Sequence, residues 1–183
     1  MIGRKRRVGP GAVVGVVLVG AILVGMADEL TKEAEKLLGD LLRPQGEILS
    51  GQVRVIDADS LDVDGRSVRL FGIDAVEKNQ TCQDRRGREW PCGRHATEKL
   101  AAALDGQTVR CLVQDTDRYG RAVSVCEAGG KDINHWVVRN GWAVAYTRYS
   151  RDYEGAEAEA RAEKAGIFAG SFIPPEDWRR KPS

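Results

Sequence analysis

The dipeptide Asp64-Gly65 constrains this chain more than any other feature. It separates two short β-patterned runs, 61–63 and 67–73, and Asp-Gly is a strong signal for a two-residue hairpin turn. Such a turn sets the register of the strands it joins. Ser60 then faces Arg69, and Asp59 faces Leu70. Arg69 alternates with Val68 and Leu70, so it points away from their apolar side. Asp57-Ala58-Asp59 lies just before the hairpin and Asp74-Ala75-Val76-Glu77 just after it. The hairpin therefore returns the second acidic cluster to the first, with an arginine between them.

Other short strands follow the same pattern at 52–56, 108–113 and 121–126, while 94–104, 132–140 and 153–164 read as helices. The stretch from Pro174 reads as polar and irregular. Five short strands with interposed helices predict an α+β domain, mainly β, built as a small closed barrel decorated by about three helices. The order lacks the strict alternation of a doubly wound sheet.

The N-terminus has a different character. Arg4, Lys5, Arg6 and Arg7 precede an uncharged run from 8 to 27. Twenty residues at about 1.5 Å each span roughly 30 Å, the thickness of a hydrocarbon core. The expectation is a transmembrane signal anchor over 1–27 that leaves the rest of the chain outside the cytoplasm. A cleaved signal peptide, with small residues at Gly25-Met26-Ala27, is the alternative and makes the protein secreted. Residues 28–47 read as a helical stalk or linker, 48–178 as the folded domain and 179–183 as a polar tail. The chain has 28 basic and 27 acidic residues, and four of the basic ones precede residue 28. A remainder this close to neutral does not bind nucleic acid by bulk charge, so any polyanion site has to be local.

Four cysteines suit export: Cys82, Cys92, Cys111 and Cys126. None forms a CxxC pair, which leaves a zinc knuckle unsupported. Cys82–Cys92 and Cys111–Cys126 are the expected disulfides, although four cysteines allow three pairings and four free buried thiols are also possible. A two-residue turn at Arg118-Tyr119 places Cys111 opposite Cys126, and a bulge at Gly120 shifts that register by one.

Converging carboxylates repel one another, and without paired His or Cys they suit a hard cation such as calcium or magnesium. An adjacent arginine offers the fork of donors a phosphate accepts. The same aspartates are also ordinary turn and capping residues, so spacing leaves both readings open. Three motifs decide between them: Val55-Ile56-Asp57-Ala58-Asp59-Ser60, Val68-Arg69-Leu70-Phe71-Gly72-Ile73-Asp74-Ala75-Val76-Glu77, and Asp117-Arg118-Tyr119-Gly120-Arg121. Together, and in this order, they resemble the staphylococcal nuclease (thermonuclease) family over roughly residues 48–178.

The resemblance implies an OB-fold-like barrel and a calcium-dependent hydrolysis of DNA or RNA phosphodiesters. It makes Asp59, Asp74 and the carbonyl of Ala75 calcium ligands, with Asp57 and Ser60 supporting them. It makes Glu77 the general base and Arg69 and Arg121 the phosphate-gripping pair. Arg118, Tyr119 and Tyr146 would line the nucleotide site. Two departures stand out: Ala58 replaces a glycine, and Val76 replaces a proline before the base. If residue 58 needs positive φ, alanine is strained there. Losing the proline frees the loop that carries Glu77. A non-catalytic barrel that binds nucleic acid or protein at the membrane is the other reading. It has no need to keep Arg69, Glu77, Arg121 and both aspartates. Neither reading implies an obligate protein partner.

Overall fold

The computed structural model describes residues 46–181. The membrane segment and stalk expected before residue 46 lie outside them. Among the described residues no helix is long and apolar enough to cross a membrane.

The barrel grows from one long strand. Strand β1 (Ile48–Asp57) pairs through its first half with β7 (Thr108–Thr116) and through its second half with β2 (Ser60–Val63). The partner changes between Gln52 and Val53, and the pairing with β2 is itself irregular between Val55 and Asp57. Strand β3 (Arg66–Leu70) pairs with β2 in the register that Asp64-Gly65 requires, Ser60 opposite Arg69. Both turn residues have positive φ, 48° at Asp64 and 83° at Gly65. Strand β8 (Ala122–Ala128) pairs with β7, and a parallel pairing of β3 with β8 closes the five strands into a barrel. Alternate residues of β8 point inward, and Leu61, Val63, Val68, Leu70 and Val109 fill the interior at 2% exposure or less. Each such side chain contributes about 1.5–3 kcal/mol by leaving water.

The run read as one strand over 67–73 is two. Gly72 has φ +72°, and the chain turns there out of the barrel. Strand β4 (Ile73–Ala75) pairs instead with β10 (Ala143–Ala145). Buried Asn134 braces this corner. Its amide donates to the carbonyls of Phe71 and Ser124, and its oxygen accepts from the Cys126 N–H.

Helix α1 (Cys92–Leu104) lies against β1 and buries Ala96, Leu100 and Leu104 at four-residue spacing. Helix α2 (Ile133–Arg139) is capped by Asp132, which accepts from the His135 N–H at 2.8 Å. Helix α3 (Glu154–Glu163) and a 3₁₀ turn (Gly166–Ala169) follow. The stretch expected to be irregular from Pro174 contains a fourth helix, α4 (Pro175–Arg179). Proline at its first position and Glu176 and Asp177 in its first turn favour that start. Strands β5 (Cys82–Gln83) and β6 (Glu89–Trp90) form a small hairpin, and β9 (Lys131–Asp132) turns back to pair antiparallel with the end of β8.

Both expected disulfides are present, Cys82–Cys92 and Cys111–Cys126. The second forms by a route the sequence did not suggest. The turn at Asp117–Arg121 does shift the pairing by one, so Thr116 faces Ala122. A bulge between Val113 and Asp115 then shifts it back, and Cys111 faces Cys126.

Candidate active site

The β2–β3 hairpin and the β3–β4 corner bring the acidic clusters together. Asp59 is 4% exposed and Asp74 2%. The Arg69 guanidinium lies between them. Nη1 donates to Asp59 Oδ1 at 3.0 Å, Nη2 reaches Asp59 Oδ2 at 3.0 Å, and Nη2 also donates to Asp74 Oδ1 at 3.1 Å. The Ala75 N–H donates to Asp59 Oδ2 at 3.1 Å, which ties β4 to the first cluster. Ser60 Oγ donates to Asp59 Oδ1, and Asp57 Oδ1 accepts from the Asp59 N–H.

Glu77 joins through a residue the sequence reading missed. Arg179, at the end of α4, donates from Nη1 and Nη2 to the two Asp74 oxygens at 2.9 and 3.0 Å, and from Nη1 to Glu77 Oε1 at 2.7 Å. Residues 179–183 were expected to be a tail; the first of them sits in the site. Only the helix-start signal at Pro175-Glu176-Asp177 hinted that this stretch was ordered. Gln80 was also missed. It is fully buried, accepts from the Glu77 N–H at 3.1 Å and donates to the Ile173 carbonyl at 2.7 Å. It thus links the Glu77 loop to the segment leading into α4.

Close packing holds the loop from its other side. A Cβ added to Gly93, in the first turn of α1, would lie 1.7 Å from the Glu77 carbonyl oxygen. The two departures noted above have structural answers. The positive-φ residues other than glycine, among those described, are Asp64 and Lys164, so Ala58 is unstrained. The Val76 N–H donates to the Trp142 carbonyl, a bond that proline cannot make.

Arg121 accompanies Arg69 in a neighbouring cleft. Both line this cleft of about 650 Å³ together with Arg118, Tyr119, Tyr146 and Tyr149. Asp117 accepts from the Arg121 backbone and from Nε at 2.7 Å. Tyr119 is 70% exposed, with the Arg118 guanidinium 4.8 Å and the Arg121 guanidinium 5.7 Å from its ring centre. Tyr146 and Tyr149 pack at 5.1 Å. Arg69 is the hinge of the arrangement, facing carboxylates on one side and the cleft on the other. A smaller hollow lined by Leu104, Lys131 and Trp136 contains none of these groups.

Burial, then the neighbouring Asp59, pushes the Asp57 carboxyl up to about 6. Burial also raises Asp74, although hydrogen bonds from Arg179 pull against it. For Arg69 and Arg179 burial acts downward, but the surrounding carboxylates outweigh it and both guanidiniums are held charged more firmly than usual. Burial pushes Asp117 up, and the Arg121 contacts overcome it, leaving that carboxyl below its ordinary range.

The donor set is oxygen only, which fits a hard divalent cation. As arranged, guanidiniums engage those oxygens, and among the described residues no three acidic, His or Cys side chains are grouped to hold a metal.

Residues 67–170 match the family model described as staphylococcal nuclease homologue. The chain is 38% identical over 125 residues to the succinoglycan biosynthesis protein ExoI of Rhizobium meliloti, covering 67% of this chain and 65% of that protein. It is 34% identical over 137 residues to an uncharacterized endonuclease of Escherichia coli O157:H7, covering 70% and 83%. It is 32% identical over 116 residues to the staphylococcal-like nuclease CAN1 of Arabidopsis thaliana, covering 62% and 33%. The chain thus spans just under two thirds of the first relative and a third of the last. With a closed barrel, its paired acidic clusters and a central arginine, the chain belongs to the staphylococcal nuclease homologue family, whose chemistry is that of a nuclease hydrolase.

Proposed function

We propose that the protein is a calcium-dependent nuclease that hydrolyses phosphodiester bonds of DNA or RNA outside the cytoplasm. The observation that carries this reading is the position of Arg69, which touches Asp59 and Asp74 and also lines the tyrosine- and arginine-rich cleft. A phosphodiester in the cleft meets a guanidinium whose other contacts are the carboxylates of a hard-cation site.

Asp59, Asp74 and the Ala75 carbonyl would hold the calcium ion. When bound, the ion polarises a phosphate oxygen and favours an attacking water. Glu77 accepts the proton of that water, and Gln80 fixes the backbone that presents it. Arg69 and Arg121 bind the phosphate and gain strength as negative charge builds on its oxygens, where stabilisation lowers the barrier. Tyr119 and Tyr146 offer flat faces to a base or sugar. Asp57 and Ser60 keep Asp59 oriented through the bonds described above. The run over 8–27 would hold the protein at a membrane, or direct its secretion if cleaved. Two disulfides suit an oxidising compartment.

The test is degradation of single-stranded and duplex DNA by the full-length chain, with calcium or with a chelator. Calcium-dependent cleavage that falls about 10²–10⁴-fold in Glu77→Gln is expected. Binding without cleavage at every calcium concentration would point instead to a binding module.

A further inference from the structure

Of the three hydrogen bonds Arg179 makes to the site, two go to Asp74, an ion ligand in the reading above, and one to Glu77, its base. Asp74 Oδ1 accepts from Arg69 and Arg179, and Oδ2 from Arg179. A carboxylate offers about four lone-pair sites, so three of those on Asp74 are engaged. Glu77 Oε1 is held by the same guanidinium at 2.7 Å. A divalent ion against Asp74 would face two fixed positive charges at contact range.

The two arginines differ in what holds them. Arg69 sits within β3, paired with β2 on one side and β8 on the other, and grips Asp59 with both terminal nitrogens. Arg179 ends a five-residue helix. That helix is docked by its buried Pro175 and a few polar contacts, including Trp178 Nε1 to Asn79 Oδ1 at 3.3 Å and the Gln80–Ile173 bond just before it. Its Arg180–Glu176 pair is internal and does not dock it. Strand pairing makes Arg69 costly to move, whereas Arg179 leaves with a short terminal piece.

We propose that Arg179 is a built-in competitor for the divalent cation: its guanidinium and the ion exclude each other at Asp74, so ion binding releases helix α4 and, with it, Glu77. This rests on the ion-dependent reading above. In the ion-free chain the guanidinium balances the carboxylates and occupies the base. Arrival of the ion frees Glu77 for water and leaves an arginine 38% exposed in its docked state free to turn outward. Ion occupancy is thereby coupled to the order of the C-terminal segment.

The test titrates calcium into the chelator-stripped, full-length chain in non-ionic detergent, by calorimetry, for the unmodified protein and for Arg179→Gln. If the latched form holds about nine molecules in ten, the variant binds calcium about tenfold more tightly, because apparent affinity scales with the competent fraction. Hydrogen exchange of residues 175–181 in the unmodified protein is expected to speed up at saturating calcium. Exchange in the unmodified chain keeps the test decisive even if the variant folds poorly. Equal, measurable affinities for the two proteins, or unchanged protection of 175–181 at saturation, overturn the competition and leave the ion site in place. No calcium binding by either protein overturns both.

Discussion

Two guanidiniums meet at Asp74, and they reach it from opposite kinds of structure. Arg69 is five residues away in sequence, fixed by a turn, a register and two strand pairings. Arg179 is 105 residues away and arrives on a single short helix. The barrel holds its arginine by backbone geometry. The terminal segment holds its arginine chiefly by side-chain contacts with the site itself. Rigidity therefore resides on the barrel side of Asp74, and the freedom to rearrange resides on the side of helix α4.

Four measurements break or sharpen this contrast. Leu70→Ala, next to Arg69 and 1% exposed, is expected to destabilise the fold by about 2–5 kcal/mol in urea unfolding. A loss under 1 kcal/mol would mean the barrel is not the rigid partner. Arg69→Ala should lower kcat by about 10²–10³-fold, because a fixed charge aimed at the developing oxyanion is lost. Arg179→Gln should lower kcat far less at saturating calcium, and equal losses would erase the distinction. Gln80→Ala cuts the joint between the regions. It leaves the Glu77 N–H and Ile173 carbonyl unpaired and should cost about 1–3 kcal/mol, with faster hydrogen exchange at both ends of the joint.

A fifth measurement concerns pH. Asp57 is raised from 3.8 to about 6 in the folded chain, by burial first and then by Asp59. The folded state therefore binds its proton more tightly than the unfolded state does. The resulting stabilisation is complete below about pH 4 and is lost as pH climbs through about 6. Asp57→Asn should remove that slope from a series of thermal melts taken between pH 4 and 7.

What the sequence revealed follows the same division. The Asp64-Gly65 turn demands positive φ at both positions, so its register, and with it the approach of Asp59 to Asp74, could be read locally. The Cys111–Cys126 pair was also read correctly, but the bulge that restores its register after the Asp117–Arg121 turn has no signature in Gln114 or its neighbours. The break at Gly72 was hidden inside a continuous apolar run, because it depends on β10 being available to pair with β4. Arg179 was illegible for a stronger reason. A five-residue helix carries little periodicity, and nothing in residues 175–181 names a partner as distant as Asp74. Ala58 and Val76 looked like defects against a family pattern, and the backbone around them shows neither strain nor a vacant hydrogen bond.

The missing side chain at position 93 has a practical corollary for anyone redesigning this enzyme. Even a methyl group there would overlap the Glu77 carbonyl, so α1 cannot be thickened, rotated or regrafted independently of the Glu77 loop. Scaffold and chemistry share one van der Waals surface at that point, and a library randomised at this codon should return glycine almost alone among active clones.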